Sequence, residues 1–277
     1  MTDRYAVVGN PVAHSKSPPI HTQFARQTGQ DIEYGRILAP LDGFRATVDE
    51  FRRAGGKGLN VTVPFKLEAF ALATRRSQRA LDAEAVNVLK FLGDDIEGHN
   101  TDGVGLVHDI EINLGVRVAG TRVLLMGAGG ACQGTLGPLL ETRPALLVIA
   151  NRTVDKAQRL AQRFAGSARS VGAAIEASGY ASLAGRSFDL VINATSASLS
   201  DTVPKLPDGV FAPGSLAYDM MYGKGLTPFL AVARSQGAAR LADGIGMLVE
   251  QAAESFLIWR GVRPLTEAVI AQLKSGQ

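Results

Sequence analysis

Cysteine is almost absent from this chain: Cys132 is the one example in 277 residues. A single thiol excludes an intramolecular disulfide framework and a cysteine-built zinc site, and it suits a reducing compartment. Charge of one sign is equally scarce. Lys plus Arg number 29 against 26 for Asp plus Glu, a net of +3. With no long Lys/Arg run, neither nucleic acid nor an anionic membrane is the expected partner. No apolar stretch reaches the ~20 residues that cross a bilayer; even Gly246 to Trp259 is broken by Glu250 and Glu254. Met1 to Gly9 carries Asp3 and only a short apolar run, which does not fit a secretory signal. Repeats and low-complexity segments are lacking too, and the 31 glycines keep no collagen-like period. What remains is 46% hydrophobic and 20% charged, ample for a packed core. At roughly 150 residues per domain the expectation is a cytoplasmic protein of about two domains.

The first third alternates β-rich runs with amphipathic stretches. Tyr5–Val8, Ile32–Leu38, Gly58–Val63 and Val86–Leu92 read as strands, and Leu41–Ala54 and Lys66–Ala73 as helices. Between the first two strands a helix is expected, with Ser17 as its cap, Pro18 in its first turn and Gly29 past its end. Such alternation implies a mostly parallel sheet covered on both faces. From Gly120 a second βαβ series begins: strands at Thr121–Met126, Ala145–Ala150, Phe188–Asn193 and Ser215–Tyr218, with helices at Ala131–Glu141 and Val154–Phe164. The loop from Thr195 to Gly214 is long and proline-containing, a composition typical of functional segments. Two final helices, about Gly246–Trp259 and Leu265–Lys274, are expected to return to the N-terminal unit and make it discontinuous.

Gly127-Ala128-Gly129-Gly130, before Ala131, follows an apolar strand and opens a helix. Glycine there allows a tight turn and lets backbone N–H groups approach a pyrophosphate at the helix N-terminus. A plain glycine turn or an S-adenosylmethionine site would share this pattern. After the next strand stand Asn151-Arg152-Thr153 and, one turn on, Lys156, with no acid at the strand end. A neutral-plus-basic cluster accepts a ribose 2′-phosphate that an acid would repel, so NADP(H) is the expected cofactor. The blander reading makes Asn151 a helix cap and Arg152 a solvated side chain.

Three N-terminal segments carry more polar chemistry than a core needs. Ser15-Lys16-Ser17-Pro18 places two hydroxyls at a helix start, a plausible carboxylate site, although capping alone would explain Ser17. In Asn60-Val-Thr62-Val-Pro64-Phe-Lys66, Asn60 and Thr62 share a strand face and Lys66 opens a helix, where the dipole disfavours its charge. The third is Glu97-Gly-His99-Asn100-Thr101-Asp102-Gly103, in which Asp102 is also a candidate cap. No second histidine lies at metal-ligand spacing from His99, so no metal is expected. His14, His21 and His108 read as surface or packing residues and Cys132 as a small core filler.

Together these segments resemble the shikimate dehydrogenase family over essentially the whole chain. Its motifs match Ser15–Pro18, Asn60–Lys66, Ala85-Val-Asn87, Asn100–Gly103, Gly127–Gly130, Asn151–Thr153, Asn193-Ala-Thr-Ser196 and Gly244-Ile-Gly-Met-Leu-Val-Glu-Gln251. The resemblance implies two α/β domains: a substrate domain over 1–101 plus 238–277, and a Rossmann-type NADP-binding domain over 102–237, with the active site in the cleft between them. It implies NADPH-dependent, reversible reduction of 3-dehydroshikimate to shikimate in aromatic amino acid biosynthesis. The alternative is a quinate/shikimate dehydrogenase of broader specificity. Lys66 and Asp102 match the catalytic pair. Ser15, Ser17, Asn60, Thr62, Asn87, Tyr222 and Gln251 match substrate-binding positions. Gly127, Ala128, Gly129, Gly130, Ala131, Asn151, Arg152, Thr153, Lys156, Thr195, Met220, Gly244 and Met247 match cofactor-binding ones. The implied partner is a small-molecule substrate, with the chain a monomer or homodimer. Three departures stand out: Cys132-Gln133, where relatives often carry a basic residue, Val88 in place of a frequent threonine, and Ala197-Ser198-Leu199 without the usual glycine.

Overall fold

Asp3–Gly9 (β1) alternates little and is buried along most of its length, as a strand covered on both faces must be. The computed structural model describes residues 2–195, 204–223 and 225–276; the Ala197-Ser198-Leu199 departure and much of the proline-containing loop lie outside them. The chain divides into two units, one of Met1–Gly105 with Leu248–Gln272, the other of Leu106–Met247 with Leu273–Gln277.

In the first unit β1 is followed by α1 (Ser17–Thr28), β2 (Ile32–Leu38), α2 (Phe44–Arg53), β3 (Gly56–Val61), α3 (Lys66–Leu72), β4 (Arg75–Arg76) and α4 (Gln78–Ala83). Then come β5 (Val88–Leu92), β6 (Asp95–His99) and the start of α5 (Asp102–His108), whose residues from Leu106 on, with the π-helical turn over Asp109–Asn113, belong to the second unit. The strands form one sheet in the order β2-β1-β3-β5-β6-β4. Strand β1 runs parallel to β2 and β3, but β5 is antiparallel to both β3 and β6. Three of its five pairings are parallel, so the sheet is mostly parallel, as the alternation of strands and helices implied, with an antiparallel departure at β5. The cause is a hairpin: Gly93 (φ 56°) and Asp94 make a two-residue turn between β5 and β6. Its register sets Val88 opposite His99, so Asn87 lies beside the chain that enters α5.

The helix cap expected at Ser17 is displaced by one residue. Lys16 occupies the N-cap, no side chain caps the helix, and Ser17 is its first residue with Pro18 next. Gly29 closes it in the left-handed conformation, φ 65°. Phe44, Phe65, Leu59 and Leu89 fill the core of this unit.

The second unit holds β7 (Arg122–Met126), α6 (Gly130–Glu141), β8 (Leu146–Ala150), α7 (Val154–Val171), β9 (Ala174–Ser178), β10 (Phe188–Asn193), β11 (Phe211–Asp219), α8 (Pro228–Ser235) and β12 (Arg240–Ala242). Its sheet is parallel throughout, in the order β12-β11-β10-β7-β8-β9. The order reverses between β7 and β10, the switch point where open α/β sheets bind ligands beyond their carboxyl ends. Residues 238–247, which the sequence grouped with the C-terminal helices, belong to this unit because β12 pairs with β11. Two more helices follow, α9 (Ile245–Arg260) and α10 (Glu267–Ser275).

Part of α9 completes the first unit. Trp259 stacks on Tyr5 with ring centroids 4.7 Å apart, and its Nε1 donates to the Leu89 carbonyl at 3.0 Å. Glycine at 58 permits this approach, since a Cβ there would sit 2.5 Å from Trp259 Nε1. No helix among the described residues is long and apolar enough to cross a membrane.

Candidate active site

Lys66 opens α3, immediately after the turn that ends β3. At that end of a helix an ammonium gains nothing from the dipole, and here a carboxylate compensates it. Lys66 Nζ donates to Asp102 Oδ2 at 2.6 Å, with both side chains largely enclosed. The other oxygen of Asp102 is held as well: Asn87 Nδ2 donates to Oδ1 at 2.8 Å. Asn87 is in turn fixed by the Thr101 backbone N–H, which donates to its Oδ1 at 2.9 Å, and by its own donation to Thr101 Oγ1 at 3.0 Å. Both carboxylate oxygens thus have a protein donor, and the ammonium keeps two N–H groups beyond the one given to Asp102.

Asp102 was also a candidate helix cap. Asn100 performs that task instead, accepting the Asp102 backbone N–H on Oδ1 at 3.1 Å while its Nδ2 donates to the Ala85 carbonyl. The Asp102 side chain is thereby left to Lys66 and Asn87.

Several other expected substrate residues lie in this same unit. Ser15 donates its hydroxyl to Ser17 Oγ at 3.2 Å and accepts the Ser17 N–H at 3.3 Å. Asn60, at the end of β3, is buried and well supplied with partners: its Oδ1 accepts from the Tyr34 hydroxyl at 2.6 Å, and its Nδ2 donates to Ser255 Oγ at 3.0 Å. Ser255 donates onward to the Gln251 carbonyl and lies 3.5 Å from Thr101 Oγ1. The Gln251 amide is folded against its own helix, Nε2 to the Leu248 carbonyl at 2.8 Å. Thr62 follows β3, its backbone N–H on the Val8 carbonyl.

Tyr34, Arg36 and Ser255 were not singled out from the sequence, and Thr101 only as part of the Asn100–Gly103 segment. Tyr34 and Arg36 sit on a strand that carries no motif, and Ser255 is one small residue within an apolar helix. The one available signal was the placing of two hydrogen-bonding side chains two positions apart on β2.

Within the second unit, the glycine turn lies where β7 meets α6. Gly127 has φ 113°, and a Cβ there would come within 3.2 Å of the Ala194 carbonyl oxygen, so only glycine fits. At Gly129 and Gly130 an added Cβ would meet nothing within 4 Å, and no side chain caps α6. Open space over uncapped N–H groups, flanked by Ala128 and Ala131, suits a pyrophosphate. Cys132 is buried behind the turn, and burial pushes its thiol up to about 12, which fits a core filler. Gln133 brings no charge to the turn.

Beyond β8, Asn151 Nδ2 donates to the Thr153 carbonyl at 2.9 Å; Thr153, not Asn151, is the N-cap of α7. Arg152 is exposed and makes no hydrogen bond or ion pair among the described residues, and Lys156 follows in the first turn of α7. This donor set suits a 2′-phosphate, although Asp155 stands in the same turn. At the carboxyl ends of β10 and β11, Asn193 Oδ1 accepts from the Thr195 N–H and hydroxyl, and Asn193 Nδ2 donates to buried Asp219 at 3.0 Å. Asp219 also accepts the Met221 N–H and the Thr227 hydroxyl. A Cβ on Gly244 would fall 2.2 Å from the Met220 carbonyl oxygen, the Met220 N–H donates to the Asn193 carbonyl, and the Gly244 N–H donates to the Met221 carbonyl. Met247 donates its N–H to the Tyr218 hydroxyl, which donates to Asp109 at 2.7 Å. Tyr222 follows β11 on the same unit, partly exposed, and burial raises its phenol pKa.

Comparison with known proteins adds an independent line. Residues 7–89 match the model described as "Shikimate dehydrogenase substrate binding domain", residues 110–200 "Shikimate / quinate 5-dehydrogenase", and residues 244–274 "Shikimate 5'-dehydrogenase C-terminal domain". A protein of Nitrosospira multiformis named shikimate dehydrogenase (NADP(+)) is 64% identical over 275 residues, covering 99% of this chain and 98% of its own. One of the same name from Aromatoleum aromaticum is 62% identical over 98% of this chain and 97% of its own. Among solved structures, a shikimate 5-dehydrogenase of Thermus thermophilus in complex with NADP(H) and shikimate superimposes with a TM-score of 0.85 at 28% identity, covering 100% of both chains.

Proposed function

The chain belongs to the shikimate dehydrogenase family, and we propose that Lys66 and Asp102 are the pair that handles the proton of its reaction. That reaction is the NADPH-dependent reduction of 3-dehydroshikimate to shikimate in aromatic amino acid biosynthesis. The observation that carries the proposal is the 2.6 Å contact between Lys66 Nζ and Asp102 Oδ2, with Asn87 bonded to the second carboxylate oxygen.

NADPH, when bound, supplies the hydride that the reduction needs. A carbonyl oxygen receiving that electron density becomes an alkoxide, which requires a proton and nearby positive charge. The Lys66 ammonium offers both. Asp102 orients the ammonium and accepts a hydrogen bond from the neighbouring ring hydroxyl, while Asn87 prevents the carboxylate from rotating. In the oxidative direction Lys66 takes the hydroxyl proton back.

Ser15 and Ser17 are assigned the substrate carboxylate, and Asn60, Thr62, Asn87, Tyr222 and Gln251 the ring hydroxyls. A site built to hydrogen-bond several hydroxyls rejects analogues that lack them, because its buried polar groups would be left unpaired. We assign the first unit to substrate and the second to NADP(H). Gly127, Ala128, Gly129, Gly130 and Ala131 then face the pyrophosphate. Asn151, Arg152, Thr153 and Lys156 hold the 2′-phosphate, and Thr195, Met220, Gly244 and Met247 the remainder of the cofactor.

Steady-state assays with shikimate and quinate, each with NADP+ and NAD+, test this reading. Turnover of shikimate with NADP+ well above the other three combinations is expected. Equal turnover of quinate, or no turnover of shikimate, would contradict it.

A further inference from the structure

Strand β2 lies at the edge of its sheet and carries no family motif, yet two of its side chains reach residues assigned to substrate. Tyr34 and Arg36 are two apart and so project from the same face. The Tyr34 hydroxyl engages Asn60. Arg36 reaches the loop before α1: its Nε and Nη2 both donate to the Ser15 carbonyl oxygen, at 3.2 and 2.6 Å. That fork fixes the backbone of the residue whose hydroxyl is bonded to Ser17.

The guanidinium is exposed and has no acidic partner among the described residues, and the first turn of α1 holds no acid. Two of its five N–H donors are engaged, so the exposed guanidinium keeps three for solvent or a ligand and holds its charge against the Ser15 backbone.

We propose that Arg36 is a positioning residue for the substrate carboxylate, clamping the Ser15 backbone and supplying the positive charge that two neutral hydroxyls lack. This rests on the assignment of Ser15 and Ser17 to that carboxylate. Serine hydroxyls orient an anion but do not neutralise it, whereas a charge-assisted contact is roughly twice as strong as a neutral one. Arginine suits the role because its planar fork grips one carbonyl with two donors, and lysine does not reproduce that geometry.

The test compares shikimate with its methyl ester, which has the same ring and no carboxylate charge. In Arg36→Met the KM for shikimate should rise about tenfold to a hundredfold, with kcat within about twofold and the ester's kcat/KM unchanged. Arg36→Lys, which keeps charge but loses the fork, should fall between. Lys16→Met, removing the other cation of this loop, should leave the acid-to-ester ratio unchanged. A purely structural role would lower activity on acid and ester alike, and that result overturns the proposal, as does a loss carried by Lys16→Met alone. Ser15→Ala separates the two layers. If it discriminates acid from ester and Arg36→Met does not, only Arg36 is wrongly placed; if Ser15→Ala does not discriminate, the carboxylate assignment itself fails and the Arg36 proposal with it.

Discussion

The Tyr34 hydroxyl donates to Asn60 Oδ1 at 2.6 Å, spanning β1 from the edge strand to the strand that ends at the candidate active site. This contact decides which way the Asn60 amide faces. With Oδ1 accepting from Tyr34, the NH2 group must face Ser255 and the Asn87 carbonyl. Tyr34→Phe removes the donor and leaves a buried amide oxygen short of a partner, at a cost of about 1–3 kcal/mol. Denaturant unfolding should show that loss. The KM for shikimate should rise more than kcat falls, because Asn60 would no longer be held in one orientation.

His21 stacks on the same tyrosine, ring centroids 4.2 Å apart and planes 8° from parallel. Burial pushes its imidazole down to about 3, so the folded protein holds it neutral. The unfolded chain binds that proton near 6.5. Between those two values the unfolded state carries more protons, so stability is full above about 6.5 and is lost as pH falls towards about 3. The slope from this one residue is about 1.4 kcal/mol per pH unit. Urea unfolding of His21→Phe across pH 7 to 4.5 should be flatter than that of the wild-type chain by about that slope. Equal slopes would show that His21 is not held neutral.

Arg152 sits exposed after β8 with no hydrogen bond or ion pair among the described residues, and it is assigned the phosphate by which NADPH differs from NADH. Arg152→Ala should weaken NADPH binding by about tenfold or more and NADH binding by only a few fold, read by quenching or nucleotide fluorescence titration. Equal losses for the two nucleotides would argue against contact with the 2′-phosphate.

Much of the fold is legible in the sequence. Strands β2 and β10 keep the ranges that their β-rich runs indicated, and the glycine turn lies between strand and helix as its context required. Elements with weak patterns were missed. Strand β9 is a half-buried edge with little apolar signal, and β6 is hidden in a polar segment that also carries Glu97 and His99. Helix α7 runs to Val171, beyond the expected end at Phe164, because Gly172 rather than the intervening Gly166 stops it. In the candidate site, Lys66 was visible as a charge placed oddly for local structure, whereas Asp102 read equally well as a helix cap and was paired with Lys66 only by the family resemblance. Tyr34 and Arg36 were not visible, because their role is set by tertiary neighbours 26 and 21 positions away in sequence.

The most direct test of the Lys66–Asp102 pair is the steady-state oxidation of shikimate by Lys66→Ala at saturating NADP+, with thermal unfolding as the check on folding. A fall in kcat of at least ~10²-fold, with KM for shikimate within a few fold, is the expected result. A folded Lys66→Ala protein with wild-type kcat would contradict the assignment of the proton to this ammonium.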